Sequence, residues 1–256
     1  MLANYHTHTW RCGHAEGTEE EYIQQALKEG FQILGFSDHA PYAYPDGSSS
    51  FYHMGPELAQ DYFETISRLR EKYRGQIQIH MGVEAEYYPA LFEDLLKRLR
   101  QNGCEYMILG QHYTHNETDG VYVGRPTQDA EVLRQYVDQS IEALETGLFT
   151  YMAHPDILNW QGDEALYHQE MVKLCATCRD LQIPLEINLA GMACGSHYPS
   201  LRFWEIAGEV GNAAILGWDV HAPGEFHVPE MVEKGHALAQ HCKLELLEQA
   251  ELRPIQ

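Results

Sequence analysis

Two donor pairs stand out in this chain, each spaced two residues apart: His6-Thr7-His8 near the start and Asp219-Val220-His221 near the end. Along an extended strand the side chains alternate between faces, so residues two apart point the same way. Two imidazoles, or an imidazole and a carboxylate, on one face can capture a divalent ion together. Between the pairs lie Asp38-His39, Glu84, His112, His154, and Glu186 with Asn188. Nitrogen and oxygen donors without cysteine suit Zn²⁺, Mn²⁺ or Fe²⁺. There are too many for one ion. A carboxylate such as Glu84 can bridge two, as in the metal pairs about 3.5–4 Å apart that cleave phosphoesters.

The elements that must carry these residues alternate along the chain. Strand-like runs cover 2–9, 32–36, 77–83, 106–109, 149–153, 185–188 and 214–218. Amphipathic helical runs follow them, over 19–28, 56–72, 90–101, 129–145, 164–181, 200–210 and 229–240. Thr18 and Glu21 form a capping box for the first helix, and Gly30 is placed to end it. Strands alternating with helices predict parallel βα units with right-handed connections. Seven such units predict an α/β fold, a distorted (βα)7 TIM-like barrel in a single domain over 1–256. An open doubly wound sheet is the alternative topology, but the chain has no GxGxxG turn to support it. Function in such barrels sits at the carboxyl ends of the strands. Six of the seven ends carry a possible metal donor, and all seven do if Glu186 or Asn188 is counted.

Composition narrows the partners. The formal charge of −21, from 38 acidic and 17 basic residues, repels polyanions and argues against long nucleic acid. No run approaches the roughly 20 apolar residues that span a bilayer, and the start does not read as a signal peptide. Six cysteines in 256 residues do not make a disulfide framework, so reduced thiols and a cytoplasmic location are expected. Cys175 and Cys178 read as core residues of a helix. His53, His80, His115, His168, His197, His227, His236 and His241 fall outside the strand-end pattern and read as solvated or locally bonded, with His115 and His197 candidates for the rim.

Taken in order, His6-Thr7-His8, His14, Ser37-Asp38-His39, Glu84 in VEAEYYP, Gly110-Gln111-His112, Ala153-His154-Pro155-Asp156 and Trp218-Asp219-Val220-His221 resemble the PHP (polymerase and histidinol phosphatase) superfamily. The resemblance implies a site for two to three divalent ions. His6, His8, Glu84 and Asp219 would hold one, Glu84, His112 and His154 a second, and His14, His39 and His221 a third. His14 lies in a loop and is a ligand on the resemblance alone.

The SDHAPYAYP, EAEYYP and AHPDIL segments are most similar to the histidinol-phosphatase branch of histidine biosynthesis. Met192, Ala193 and the run from Ile157 to Trp160 stand where that branch implies basic residues. The reading is therefore a metal-dependent phosphomonoesterase acting on a small phosphorylated substrate, histidinol phosphate first, through a hydroxide bridging two ions. Glu84 would set the metal spacing, Asp219 would transfer the proton, and Arg11, Arg125 or Arg202 would assist the phosphate. The alternatives are a phosphodiesterase or exonuclease on short nucleotides, and a non-catalytic metal-binding regulatory protein. The sequence leaves the oligomeric state open.

Overall fold

The computed structural model describes residues 1–48, 50–226 and 229–255. All seven expected βα units are present, and their strands run parallel in sequence order: β1 (Ala3–Asn4), β2 (Ile33–His39), β3 (Gln78–Ala85), β4 (Tyr106–Leu109), β5 (Phe149–Met152), β6 (Leu185–Asn188) and β7 (Ala213–Gly217). An eighth strand, β8 (Glu245–Leu247), was not expected; it joins β7 at its amino end, Ala213 facing Glu245. The carboxyl end of β7 leads instead to a parallel bridge between Thr7 and Val220. There His8 N donates to Val220 O at 3.0 Å and Val220 N to His6 O at 3.3 Å. This contact brings the first and last donor pairs side by side.

The helices follow the expected order: α1 (Glu19–Lys28), α2 (Ala59–Lys72), α3 (Pro89–Gln101), α4 (Ala130–Glu145), α5 (Glu164–Asp180), a short α6 (Leu189–Cys194), α7 (Leu201–Val210) and α8 (Pro229–His241). Thr18 and Glu21 form the capping box of α1, and Gly30 past its end has φ +83. Asp129 and Asp163 cap α4 and α5 by accepting from Glu131 N and Leu166 N, a bond typically contributing about 1 kcal/mol. The expected start of α2 near Pro56 is a 3₁₀ turn, Pro56–Leu58.

One expected strand is largely irregular. Residues 2–9 are strand only at Ala3–Asn4, because the Asn4 side chain donates to His6 O and Thr7 Oγ1, both at 2.9 Å, and accepts from Trp218 N. These bonds replace a regular ladder and turn the chain toward β7.

Apolar burial divides into two bodies. The larger lies between sheet and helices and takes in Cys175 and Cys178 of α5. The smaller gathers Ala3, Tyr5, Ile33, Tyr106, Ile108, Tyr151, Ala153 and Ile215 on the inner face of the curled sheet. Tyr106 Oη there donates to Tyr5 O at 2.8 Å and Phe36 O at 3.1 Å, which fastens three strands beneath the site. All six cysteines are free thiols, five of them buried. Among the described residues no helix is long and apolar enough to cross a membrane.

Candidate metal centre

The chain segments at the carboxyl ends of the strands bring nine side chains together. His39 closes β2 and Glu84 lies near the end of β3. His112, His154, Asp219 and His221 follow β4, β5 and β7 within a few residues, and His6 and His8 follow β1. His14 reaches the same place from the loop after β1, with its Nε2 3.1 Å from His221 Nε2. Donor groups with ligand atoms within 4.8 Å of one another include His6, His8 and Asp219; His6, Glu84 and His154; His14, His39 and His221; and, with a thiol, His8, Cys12 and His221. His8, His39 and Glu84 form a further such group and link the others. His112 stands slightly apart, its Nε2 3.8 Å from Glu84 Oε1.

Five of the seven rings are faced by an oxygen on the side away from the cluster. His6 Nδ1 lies 2.8 Å from Glu186 Oε1, His8 Nδ1 3.5 Å from Asp38 Oδ1, and His112 Nδ1 2.8 Å from Glu86 Oε1. His14 Nδ1 and His221 Nδ1 each lie 3.0 Å from a backbone carbonyl, of Cys12 and Asp219 respectively. An ionised carboxylate or a carbonyl only accepts, so these Nδ1 atoms carry the proton and Nε2 is the nitrogen turned to the cluster. Histidines that bind metals are commonly held this way.

Local backbone geometry serves the same end. His154 and Asp219 are non-glycine residues with positive φ, 28° and 50°. Such conformations cost about 1–3 kcal/mol each and persist where the surroundings enforce them. Here β6 does so: Glu186 Oε2 accepts from His154 N at 3.1 Å, and Asn188 Nδ2 donates to Asp219 Oδ2 at 3.0 Å. Gly110 and Gly217 give the carboxylates room, since a Cβ at either would collide with Glu84 Oε1 or Glu186 Oε1.

Protonation divides the cluster. Burial opposes a charged His6, but Asp219, Glu186 and Glu84 outweigh it and push its pKa up to about 10. His8 is raised well above 6.5 by the nearby carboxylates of Asp219 and Asp38, which outweigh burial. His39 is lowered to about 3 and His221 to about 4, first by burial and then by the charge on His8. Glu84 and Asp219 are held well below their ordinary values by the surrounding histidines, although burial works against this.

The residues fit divalent ions on an observation independent of any relative. Seven buried polar atoms in this cluster lack a hydrogen-bond partner: His6 Nε2, both His8 nitrogens, His39 Nδ1, Glu84 Oε2, His154 Nδ1 and Asp219 Oδ1. An orphaned buried polar atom costs about 1–3 kcal/mol, so such a concentration calls for a ligand.

A cavity of about 470 Å³ opens on the cluster, walled by Tyr52, His53, Tyr113, Tyr122, Arg125, Ile157 and Tyr198. Of the three arginines expected near the phosphate, Arg125 lines this cavity and the other two do not. Arg11 is buried against Glu19 and against Asp61, which accepts from Nη2 at 2.6 Å. Arg202 donates to Glu164 and to Trp160 O, and its guanidinium lies 4.1 Å over the Tyr167 ring, in a neighbouring cavity. Both guanidinium groups are engaged by partners outside the metal cavity, and the expectation for them is revised.

His197 also belongs to the neighbouring cavity, where its Nε2 donates to Ile157 O at 2.7 Å, and His115 does not line the metal cavity. His227 lies outside the described residues. His53 is indeed locally bonded, but as part of the cavity wall, between Glu86 and Glu117. Those two carboxylates outweigh burial and push its pKa up to about 10. Glu86 had no assigned role in the sequence reading. Its signal was available: it stands two residues beyond Glu84, the spacing that marked His6-His8 and Asp219-His221.

Residues 4–190 match the family model described as the PHP domain. A curated relative from Deinococcus radiodurans, named "Probable histidinol-phosphatase", is 28% identical over 233 residues, 88% of each chain. The histidinol-phosphatase of Bacillus subtilis is 33% identical over 125 residues, 46% of each chain. Among solved structures, the histidinol phosphate phosphatase of Lactococcus lactis, complexed with zinc, L-histidinol and phosphate, matches with TM-score 0.73. It is 15% identical, with 96% of this chain and 95% of that one covered.

Proposed function

This chain belongs to the PHP domain family, and from that premise we propose that it is a metal-dependent phosphatase whose substrate is a small phosphomonoester, histidinol phosphate first. The observation that carries the reading is the convergence of nine imidazole and carboxylate side chains, with seven partnerless buried atoms among them, on one cavity. The names of the relatives from D. radiodurans and B. subtilis support the choice of ester.

His6, His8, Glu84 and Asp219 would hold one ion, Glu84, His112 and His154 a second, and His14, His39 and His221 a third. Zinc, manganese or iron bound there would supply Lewis acidity to the phosphoryl oxygens and lower the pKa of an attacking water. The remaining chemistry belongs to the chain. Glu84 places one oxygen 2.8 Å from His154 Nε2 and the other 3.0 Å from His39 Nδ1, so it joins the ligand sets. Asp219 Oδ1 faces His8 Nε2 at 3.0 Å and is the group positioned to take up a proton at the cluster. Arg125 presents a cation at the mouth of the cavity, where the phosphate of an incoming ester would pass. A cavity of about 470 Å³ suits a metabolite rather than a polymer, in keeping with the charge of −21.

A diesterase acting on short nucleotides is the second reading, favoured by the exposed rings of Tyr52 and Tyr122 at the mouth, which could stack a base. One experiment separates the two. Metal-replete protein is assayed against histidinol phosphate, nucleotide monophosphates and phosphodiesters. Histidinol phosphate is expected to exceed every diester at least tenfold in kcat/KM, about 1.4 kcal/mol of differential transition-state binding. A preference for dinucleotides or cyclic diesters would overturn the monoester reading.

A further inference from the structure

Glu86 lies outside the nine-residue set, yet it is 1% exposed and each of its oxygens is engaged. Oε1 is 2.8 Å from His112 Nδ1, and His53 Nε2 lies 3.0 and 2.9 Å from Oε1 and Oε2. The other nitrogen of His53 is 2.9 Å from Glu117 Oε2. Glu117 in turn accepts from Ser50 Oγ at 2.9 Å and from Tyr44 Oη at 3.1 Å.

Four side chains thus form an unbroken polar line, Glu117–His53–Glu86–His112, that begins in a wall segment and ends on a candidate ligand. It crosses two stretches of chain: the one after β2, which supplies Tyr52 and His53 to the cavity wall, and the one after β4, which supplies Tyr113 and Tyr122. Buried charged groups bring a desolvation cost that apolar packing would avoid, so stability alone does not account for this arrangement.

We propose that Glu86 is a positioning residue, which orients His112 toward Glu84 and, through His53, ties both wall segments to that ligand. The inference rests on the reading of His112 as a metal ligand. Without Glu86 the His112 ring loses the partner that fixes its orientation, and the ion it helps to hold is released more readily. Without His53 the ligand keeps its carboxylate, but the walls that frame the substrate lose their anchor.

The test uses zinc-loaded full-length protein. Zinc release to a chromophoric chelator is followed in the wild type and in E86A, E86Q and H53A, with KM and kcat measured on histidinol phosphate. E86A is expected to release one zinc at least tenfold faster than the wild type, in the range found for outer-shell partners of metal-bound histidines. E86Q keeps an oxygen for His112 Nδ1 and should recover most of that difference. H53A should raise KM by a larger factor than it lowers kcat. A zinc-loaded wild type matched by E86A in release rate overturns this inference alone. A wild type that holds no zinc overturns the reading of His112 as a ligand, and this inference with it. Should E86A fail to fold, the split in H53A decides: an unchanged KM there overturns the inference.

Discussion

The inner and outer halves of the cluster are built from the same side chain and behave in opposite ways. In the inner half, His6 and His8 are fully buried beside Glu84 and Asp219, and both imidazoles are pushed toward the protonated state. In the outer half, His14, His39 and His221 form a group of three imidazoles, with Glu84 3.0 Å from His39, and all three are pushed toward the neutral state. Burial is the largest influence in both halves and lowers every one of these histidines. The sign is set by what remains. Carboxylates reverse the effect inside, while the charge on His8 reinforces it outside. The inner half therefore accommodates positive charge of any source, protons included. The outer half offers three lone pairs with little competition from protons, and its carboxylate neighbour, Glu84, is shared with the inner half. An ion in the inner half should be held tightly, and one in the outer half should exchange.

The sharpest way to break this contrast is to remove the shared carboxylate. Glu84→Gln is expected to lower kcat/KM at least a hundredfold, about 2.7 kcal/mol of barrier, because Glu84 joins the ligand sets. His14→Ala in the outer half should cost about tenfold, and excess Mn²⁺ or Zn²⁺ should restore part of it, since two of the three imidazoles remain. Steady-state assays of both variants check the order; near-normal turnover in both would remove the basis for assigning the cluster to catalysis. Arg125→Ala tests the mouth rather than either half and should raise KM by a few-fold while leaving metal content unchanged, because its guanidinium lines the cavity from an exposed position.

Proton release separates the halves at the smallest scale. His6 with a pKa of about 10 carries a proton at pH 7 in the ion-free protein, and an ion must displace it. Loading the inner half should thus release protons and weaken as pH falls, whereas loading the outer half at pH 7 should release none. Calorimetric titration in buffers of different ionisation enthalpy reads this directly; two loading phases with equal proton release would contradict the division.

What could be read from the sequence follows from the reach of local rules. The strands at 106–109 and 185–188 were legible to the residue, and all the others but the first to within a few. Eight of the nine clustered residues were found by the period-two spacing and the rule that barrel strands deliver chemistry at their carboxyl ends. His14 had no such signal, since its place depends on a loop folding back onto His221. The strand over 2–9 was misjudged because the Asn4 amide takes bonds that a regular ladder would have made. β8 was missed because three partly exposed residues carry no periodicity, and α6 because it follows β6 directly with only Asn188 as its cap. Arg11 and Arg202 show the limit most clearly: an arginine's partner is a tertiary fact, and Asp61 and Glu164 lie 50 and 38 residues away.

The central claim is that this cluster is a metal centre, and elemental analysis of chelator-free protein tests it most directly. Between two and three transition-metal ions per chain are expected, lost on dialysis against a strong chelator together with phosphatase activity and regained with Mn²⁺ or Zn²⁺. Fewer than one ion per chain, with no gain of activity when either ion is supplied, would contradict it.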